Sequence, residues 1–416
     1  MIEAQLQPHV AHNRVYMPVE INLKNYRQCI AAIYNAIQAY PREPIEVDFA
    51  ITEAAMASGM VPIVCWVHDA RRRGIDFDIL GPTAPRLASV FQRCHWSDFL
   101  NGNENRNREP LLSGGMPLLH VENEAGVLSA VDDVVETILR AVRKLGRGSI
   151  QALEWSLNEI IDNVFTHSQA ETGGFIQTTI FPRRRVVDFV VCDHGVGIPK
   201  SMTRIGIREP AEAMIKSVKE GITSRIGENK GNGLYGTLSI ARHSRTGHFN
   251  LDSSNQRLYW DRIREAAFVK SEGVYFPGTV VHWSVGVDDP DLIEKALVFE
   301  GKKYEIAFDY LDKKFSSDDD DKHHLKVFDY RIDTITRIGG KRFRVLVENL
   351  LNDGTDQPVE VSFSGMSVIS SSFADEVFAK IAQDYGEQFF RERLLISNAN
   401  ETIRGIIARE IEMRVL

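Results

Sequence analysis

Apolar positions along the chain alternate between a spacing near two and a spacing near 3.6, so strands and helices follow one another from the first residues onward. A strand is predicted over 14–19, then a helix over 25–40 with Ile30, Ile33, Tyr34 and Ile37 on one side, ended by Pro41 and Pro44. Alternation and β-branching give strands over 45–50 and 75–80. Between them lies an apolar helix over 60–73 that stops in Arg71, Arg72, Arg73 and Gly74. An amphipathic helix over 85–100 completes a small α/β layer, and the polar, turn-rich stretch 101–115 sets a boundary.

The middle of the chain predicts a strand over 116–121, helices over 130–144 and 149–167, and strands over 174–181 and 186–192 joined through Pro182 and Arg183–Arg185. After Asp193 the periodicity gives way to a long glycine-rich region, followed by a helix over 234–243, strands over 246–253 and 279–285, and a helix over 291–299. A loop of that length within a compact domain is usually functional. The charge block Asp318–Lys322 is expected to be a solvated linker. The last segment repeats the order of the first: strands over 325–332, 359–364 and 393–397, helices over 340–351, 371–385 and 401–414. Pro44, Glu46, Val47 and Phe49 recur as Pro358, Glu360, Val361 and Phe363, so two similar modules are expected to flank a central one.

The helix over 149–167 has two faces. Leu157, Ile160, Ile161 and Val164 form an apolar side, and Glu159, Asn163 and His167 recur every four residues on a polar one. An acid and an amide one turn apart suit a hard cation bearing phosphate oxygens, with a base for water or a hydroxyl; taken alone, the stripe fits a solvated face as well. Downstream, an apolar strand ends in Asp193, followed by Gly195 and Gly197, where glycine lets backbone approach a ligand. Gly231, Gly233 and Gly236 then open a helix, and backbone amides at such a start form an anion site. A dinucleotide fingerprint is excluded there, because the preceding segment is polar rather than a strand.

Composition narrows the class. With 416 residues, two or three domains are expected. The longest apolar runs fall short of the roughly 20 residues needed to span a bilayer, and the start of the chain lacks the order of a signal peptide. Cys29, Cys65, Cys94 and Cys192 stand far apart, which suggests core thiols in a cytoplasmic protein. A formal charge of −8 argues against general nucleic-acid binding.

Glu159-x-x-x-Asn163, Asp193-x-Gly195-x-Gly197, Gly231-x-Gly233-Leu234 and Gly278-Thr279, in that order, resemble the boxes of the GHKL ATPase superfamily. The resemblance covers about residues 115–290. It implies an α/β multidomain protein with a central GHKL (Bergerat) sandwich on a mixed sheet, flanked by two small STAS-like domains. The expected boundaries are 1–112, 113–300, a charged linker over 301–324, and 325–416. It further implies ATP and Mg²⁺ as ligands, with Asn163 on the metal, Asp193 on the adenine amino group and Thr279 supporting that pocket. Gly195, Gly197 and Ile198 would lie close to the nucleotide, Gly231, Gly233 and Leu234 in a lid over about 198–232, and Glu159 would be the general base; His167 would touch phosphate or lid.

Residues 361–376 resemble STAS-like domains related to anti-sigma-factor antagonists, in which a serine at a helix start is phosphorylated. Ser371, with Ser372 beside it, is the matching position, although Ser370 replaces the usual acidic residue; the first module carries Ala57 there. Two functions follow as expectations. One is a signalling ATPase or serine-kinase-like partner switch; the other is a non-catalytic module in which ATP orders the lid and repositions the STAS-like domains. A protein partner through those domains and a homodimer are both open, with neither membrane nor nucleic acid involved. A histidine kinase is disfavoured, because His68-Asp69 lacks the following proline of an acceptor helix.

Overall fold

The computed structural model describes residues 7–105, 107–111, 114–224, 231–304, 309–317, 320–330 and 332–415. The chain is α/β, with several separate sheets, and divides into two compact units. One unit holds the described residues of Met1–Val134, Trp155–Phe181 and Val186–Gly286; the other holds those of Val135–Glu154, Pro182–Arg185 and Val287–Leu416.

In the first unit, β1 (His9–Ala11), β2 (Arg14–Tyr16), β4 (Ile45–Asp48) and β6 (Phe77–Leu80) form a sheet in that order, with β1 antiparallel to β2 and the rest parallel. The short strands β3 (Glu20–Ile21) and β5 (Ala54–Ala55) pair separately. Helices α1 (Tyr26–Ala39), α2 (Ala57–Arg72), α3 (Pro85–Arg93) and α4 (Trp96–Leu100) accompany them. The single helix expected over 85–100 is two, because His95 adopts a left-handed conformation (φ 60°) between them.

The larger sheet of this unit comprises β7 (Gly115–Val121), β8 (Gly174–Phe181), β9 (Val186–Asp193), β10 (His248–Asp261) and β11 (Ala266–Gly286), in the order β10-β11-β9-β8-β7. The expected mixed sheet is not observed: all four pairings are antiparallel. The reason is the connection between β7 and β8. It contains two helices, α5 (Ala125–Ala141) and α6 (Arg147–Thr166), so the chain turns back three times and β8 returns antiparallel to β7, whereas a single crossover helix gives two turns and a parallel pair. The glycine-rich stretch after Asp193 is more ordered than its periodicity suggests: it holds α7 (Ile198–Met202) and α8 (Pro210–Ser217) before α9 (Gly233–His243). Pro199 and Pro210 sit in the first turns of α7 and α8, where a missing N–H costs no hydrogen bond.

Helix α2 packs on β8 and β9, and Ser58–Ala70 is buried along its whole length. Its all-round apolar character follows, since a helix covered on every side has no polar face to keep. One apolar core runs from Val47 and Phe49 through Ile63 and Val67 to Phe175, Val190 and Cys192 of the larger sheet. Arg27 of α1 completes the join. The β10–β11 ladder slips between Ser253 and Gln256, and Arg27 donates to the carbonyls of Ser254 (2.6 Å), Val274 (2.7 Å) and Gln256 (3.0 Å) and to Asp252 (3.1 Å). Its guanidinium thus supplies donors to carbonyls along the irregular part of the ladder.

The second unit contains α10 (Leu292–Ala296), the paired strands β12 (Val298–Phe299) and β13 (Lys302–Lys303), and α11 (Tyr310–Phe315). A sheet follows in the order β14 (Ser316–Ser317), β15 (Asp320–Lys326), β16 (Val359–Ser362), β17 (Leu394–Ser397). Helices α12 (Arg337–Leu351), α13 (Ser371–Ala374), α14 (Lys380–Tyr385), α15 (Glu387–Arg393) and α16 (Glu401–Val415) lie among these strands, a π turn (Asp375–Ala379) joining α13 to α14. The expected charged linker is therefore corrected: its described part is folded. Asp309 is fully buried and accepts from Arg147 Nε and Gln151 Nε2, both at 2.8 Å. In β15, His323 and Leu325 are buried, and His323 meets the buried Asp353 at 2.9 Å. Alternation hides these side chains within a run that is polar on average.

The two small sheets share topology and register. Val47 pairs with Val15 and Ile79, and Val361 pairs with Leu325 and Ile396, each sheet being antiparallel at one edge and parallel beyond. The repeat seen as Glu46-Val47 and Glu360-Val361 thus occupies matching central strands.

Candidate functional site

An open cavity lies in the first unit between the C-terminal turns of α6, the end of β9, the middle of β11, and the starts of α7 and α9. Its wall includes Asn163, His167, Asp193, Gly197, Ile198, Gly231, Gly233, Leu234 and Thr279. These residues are scattered over more than 110 positions of chain and meet in one place. Leu157, Ile160, Ile161 and Val164 of α6 are all buried, and Ile160 and Val164 also line the cavity beside Asn163 and His167.

Asp193 ends β9 opposite Thr279 of β11 and is buried. Burial pushes its carboxyl up to about 7, against the pull of the backbone amides of Gly195 and Thr279. The Gly195 amide donates to Asp193 Oδ1 at 2.8 Å, which fixes the carboxylate at the cavity floor. Gly197 has φ 74°, and a Cβ there would stand 2.7 Å from Ser253 Oγ. Ser253 in turn accepts from the Ile198 amide (2.9 Å) and donates to the Gly278 carbonyl (2.8 Å), joining the two glycine boxes. Gly195 does not line the cavity; it packs against Ser168, where a Cβ would strike the carbonyl.

Asn163 Nδ2 is buried with no hydrogen-bond partner among the described residues. An unpaired buried amide costs about 1–3 kcal/mol and is a group that a ligand would satisfy. Glu159, one turn earlier, lies beside α9: a Cβ on Gly233 would stand 2.5 Å from its Oε2 and 3.5 Å from Asn163 Nδ2. Burial pushes the Glu159 carboxyl up to about 7, and Asp162 adds to the rise. Helix α9 begins at Gly233 with no side-chain cap from Asn232, so its first amides have no side-chain acceptor at that residue. His167 Nδ1 is 3.2 Å from Ser224 Oγ, a contact with the far wall rather than with Asn163. Residues 225–230, towards the end of the expected lid, lie outside the described residues.

Three contributors, Ser253, Ser201 and Met202, escaped the sequence reading. Ser253 looks there like the end of an ordinary strand. Ser201 and Met202 line the cavity from α7, where Pro199 was the available signal. His194 sits between Asp193 and Gly195 but turns away, its Nδ1 3.0 Å from Asp69 of α2, which also binds Arg73 at 2.8 Å.

Ser371 and Ser372 belong to the second unit. Both are exposed in the first turn of α13, and Ser370 takes the capping role, accepting from the Phe373 amide at 3.0 Å. Residues 339–404 match a STAS-like domain of unknown function (DUF4325). No curated protein matches the chain. The STAS-like domain spans α12 to the start of α16 and includes both exposed serines. Among the described residues, no helix is long and apolar enough to cross a membrane.

Proposed function

We propose that the first unit binds Mg²⁺·ATP in the manner of GHKL proteins and that the chain is a signalling ATPase or serine-kinase-like switch. The observation that carries this reading is the convergence, around one cavity, of a buried carboxylate at a strand end, an unpartnered buried amide and an uncapped helix start. An ionised carboxylate accepts from an exocyclic amine, an unpartnered amide N–H donates to a phosphate oxygen while the oxygen of the same amide can ligate a hard cation, and helix amides hold phosphate.

In this reading Asp193 with Thr279 binds adenine, Gly197 and Ile198 border it, and Asn163 holds Mg²⁺ through its amide oxygen. The lid residues are Gly231, Gly233 and Leu234. Bound Mg²⁺ supplies charge neutralisation for phosphoryl oxygens. Glu159 holds a proton-accepting carboxylate with an affinity suited to transfer near neutral pH, which favours turnover over simple binding. Residues 1–112 are read as a second STAS-like module, and Ser371 or Ser372 as acceptor, both hydroxyls being exposed.

The test is incubation of the full chain with Mg²⁺·ATP, following ADP release and mapping phosphoserine by mass spectrometry. Phosphate on Ser371 or Ser372 supports the kinase, and ADP alone supports an ATPase. Binding without either product supports the switch in which nucleotide only orders the lid. Absence of nucleotide binding refutes all three.

A further inference from the structure

The face of the larger sheet opposite the cavity carries a second cluster. Asp188 of β9, His248 of β10 and His282 of β11 come from three adjacent strands, with Asp188 and His248 each paired to Ser284. His248 Nε2 is 3.1 Å from His282 Nε2, which is 3.1 Å from both oxygens of Asp188; His248 Nε2 is 3.6 Å from Asp188 Oδ1. Ligand atoms on a tetrahedral ion with bonds of about 2.0–2.1 Å stand roughly 3.3 Å apart. The triangle of 3.1, 3.1 and 3.6 Å has that size.

The proton arrangement points the same way. When His282 Nε2 carries a proton, that single N–H faces three acceptors: the two Asp188 oxygens and the His248 lone pair. A cation at the centre satisfies all of them. His248 Nδ1 is 2.6 Å from Ser284 Oγ, the outer-shell contact that sets the ring so that Nε2 presents its lone pair. Access is open on one side, since the His248 side chain is 39% exposed while those of His282 and Asp188 are 11% and 17% exposed.

We propose that Asp188, His248 and His282 form a site for a divalent first-row transition metal, with zinc the best fit. Two imidazoles and one carboxylate leave a position for water or another donor. The ion would fasten the strands whose opposite face carries Asp193 and Thr279. This proposal is independent of the nucleotide reading.

The test is titration of chelator-treated, dialysed full chain with Zn²⁺, followed by calorimetry, with Co²⁺ absorption as a report on coordination. One equivalent of zinc is expected to bind, and tetrahedral cobalt bands to appear. His248→Gln, at the most exposed ligand, should keep the circular dichroism spectrum and lose zinc affinity tenfold or more. Asp188→Asn should do likewise, and Ser284→Ala should weaken binding by about tenfold to a hundredfold. His120→Ala, in a separate cluster with His68 and Glu104, should leave the stoichiometry unchanged. Wild-type protein that binds no zinc, a His248→Gln chain that binds it normally, or loss of binding only in His120→Ala would each overturn the proposal.

Discussion

Glu159 and Asp193 carry carboxyls that burial holds at about 7, well above the ordinary carboxylate range. Between about pH 4 and 7 the native state therefore holds protons that the unfolded chain has released. Stability from these groups is greatest at the acid end and falls as pH rises through that window. Denaturant unfolding at pH 5 and pH 7.5 should show it: Glu159→Gln and Asp193→Asn should each flatten the slope by on the order of 1–3 kcal/mol. The functional dependence has the opposite sign. A base and an amine acceptor must both be ionised, so kcat/KM for ATP should fall steeply below about pH 7, and a flat profile from pH 5.5 to 8 would exclude Glu159 as the base. Gly233 tests the same pair by geometry. The atom that an added Cβ would meet is the far end of the Glu159 side chain, which can swing away. Gly233→Ala should therefore unfold within about 1 kcal/mol of wild type yet lose turnover tenfold or more.

Arg27 works at the scale of elements, because it ties α1 to the irregular β10–β11 hairpin. Arg27→Ala would leave three carbonyls without that donor, and Asp252 with only Arg257 as cation, so a loss of about 3–5 kcal/mol is expected in denaturant unfolding. A loss under 1 kcal/mol would mean that water replaces the guanidinium. The hairpin also marks where sequence periodicity failed. Strands expected over 246–253 and 279–285 extend to Asp261 and back to Ala266, through segments such as Lys270-Ser271-Glu272 whose polar residues give no apolar alternation. By contrast α6, with Leu157, Ile160, Ile161 and Val164 at strict helical spacing, was legible to within two residues at either end.

At the scale of the whole molecule, the meeting of Asp193, Asn163, Gly233 and Thr279 around one cavity was easier to read than the architecture. What the sequence hid was partnership. The all-round apolar character of α2 marks a helix covered on every side but does not say by what; its packing on β8 and β9, with the Cys65–Cys192 contact and the Asp69–His194 pair, supplies that. The buried Asp309 and His323 were hidden for a related reason: a charged run averages as solvated even when alternate side chains are inside. The matching registers of the two small sheets support duplication of one module, and the exposed Ser371 and Ser372 make phosphorylation of the second copy a direct prediction. Double replacement of both by alanine should abolish phosphate incorporation while leaving nucleotide affinity unchanged.

The central claim is that the cavity over Asp193 holds ATP. Calorimetric titration of the full chain with ATP in Mg²⁺, for wild type and Asp193→Asn, tests it most directly. One nucleotide per chain in the wild type is predicted, with affinity falling about tenfold to a hundredfold in the variant as a charge-assisted hydrogen bond is lost. No binding by the wild type, or equal affinity in both proteins, would contradict it.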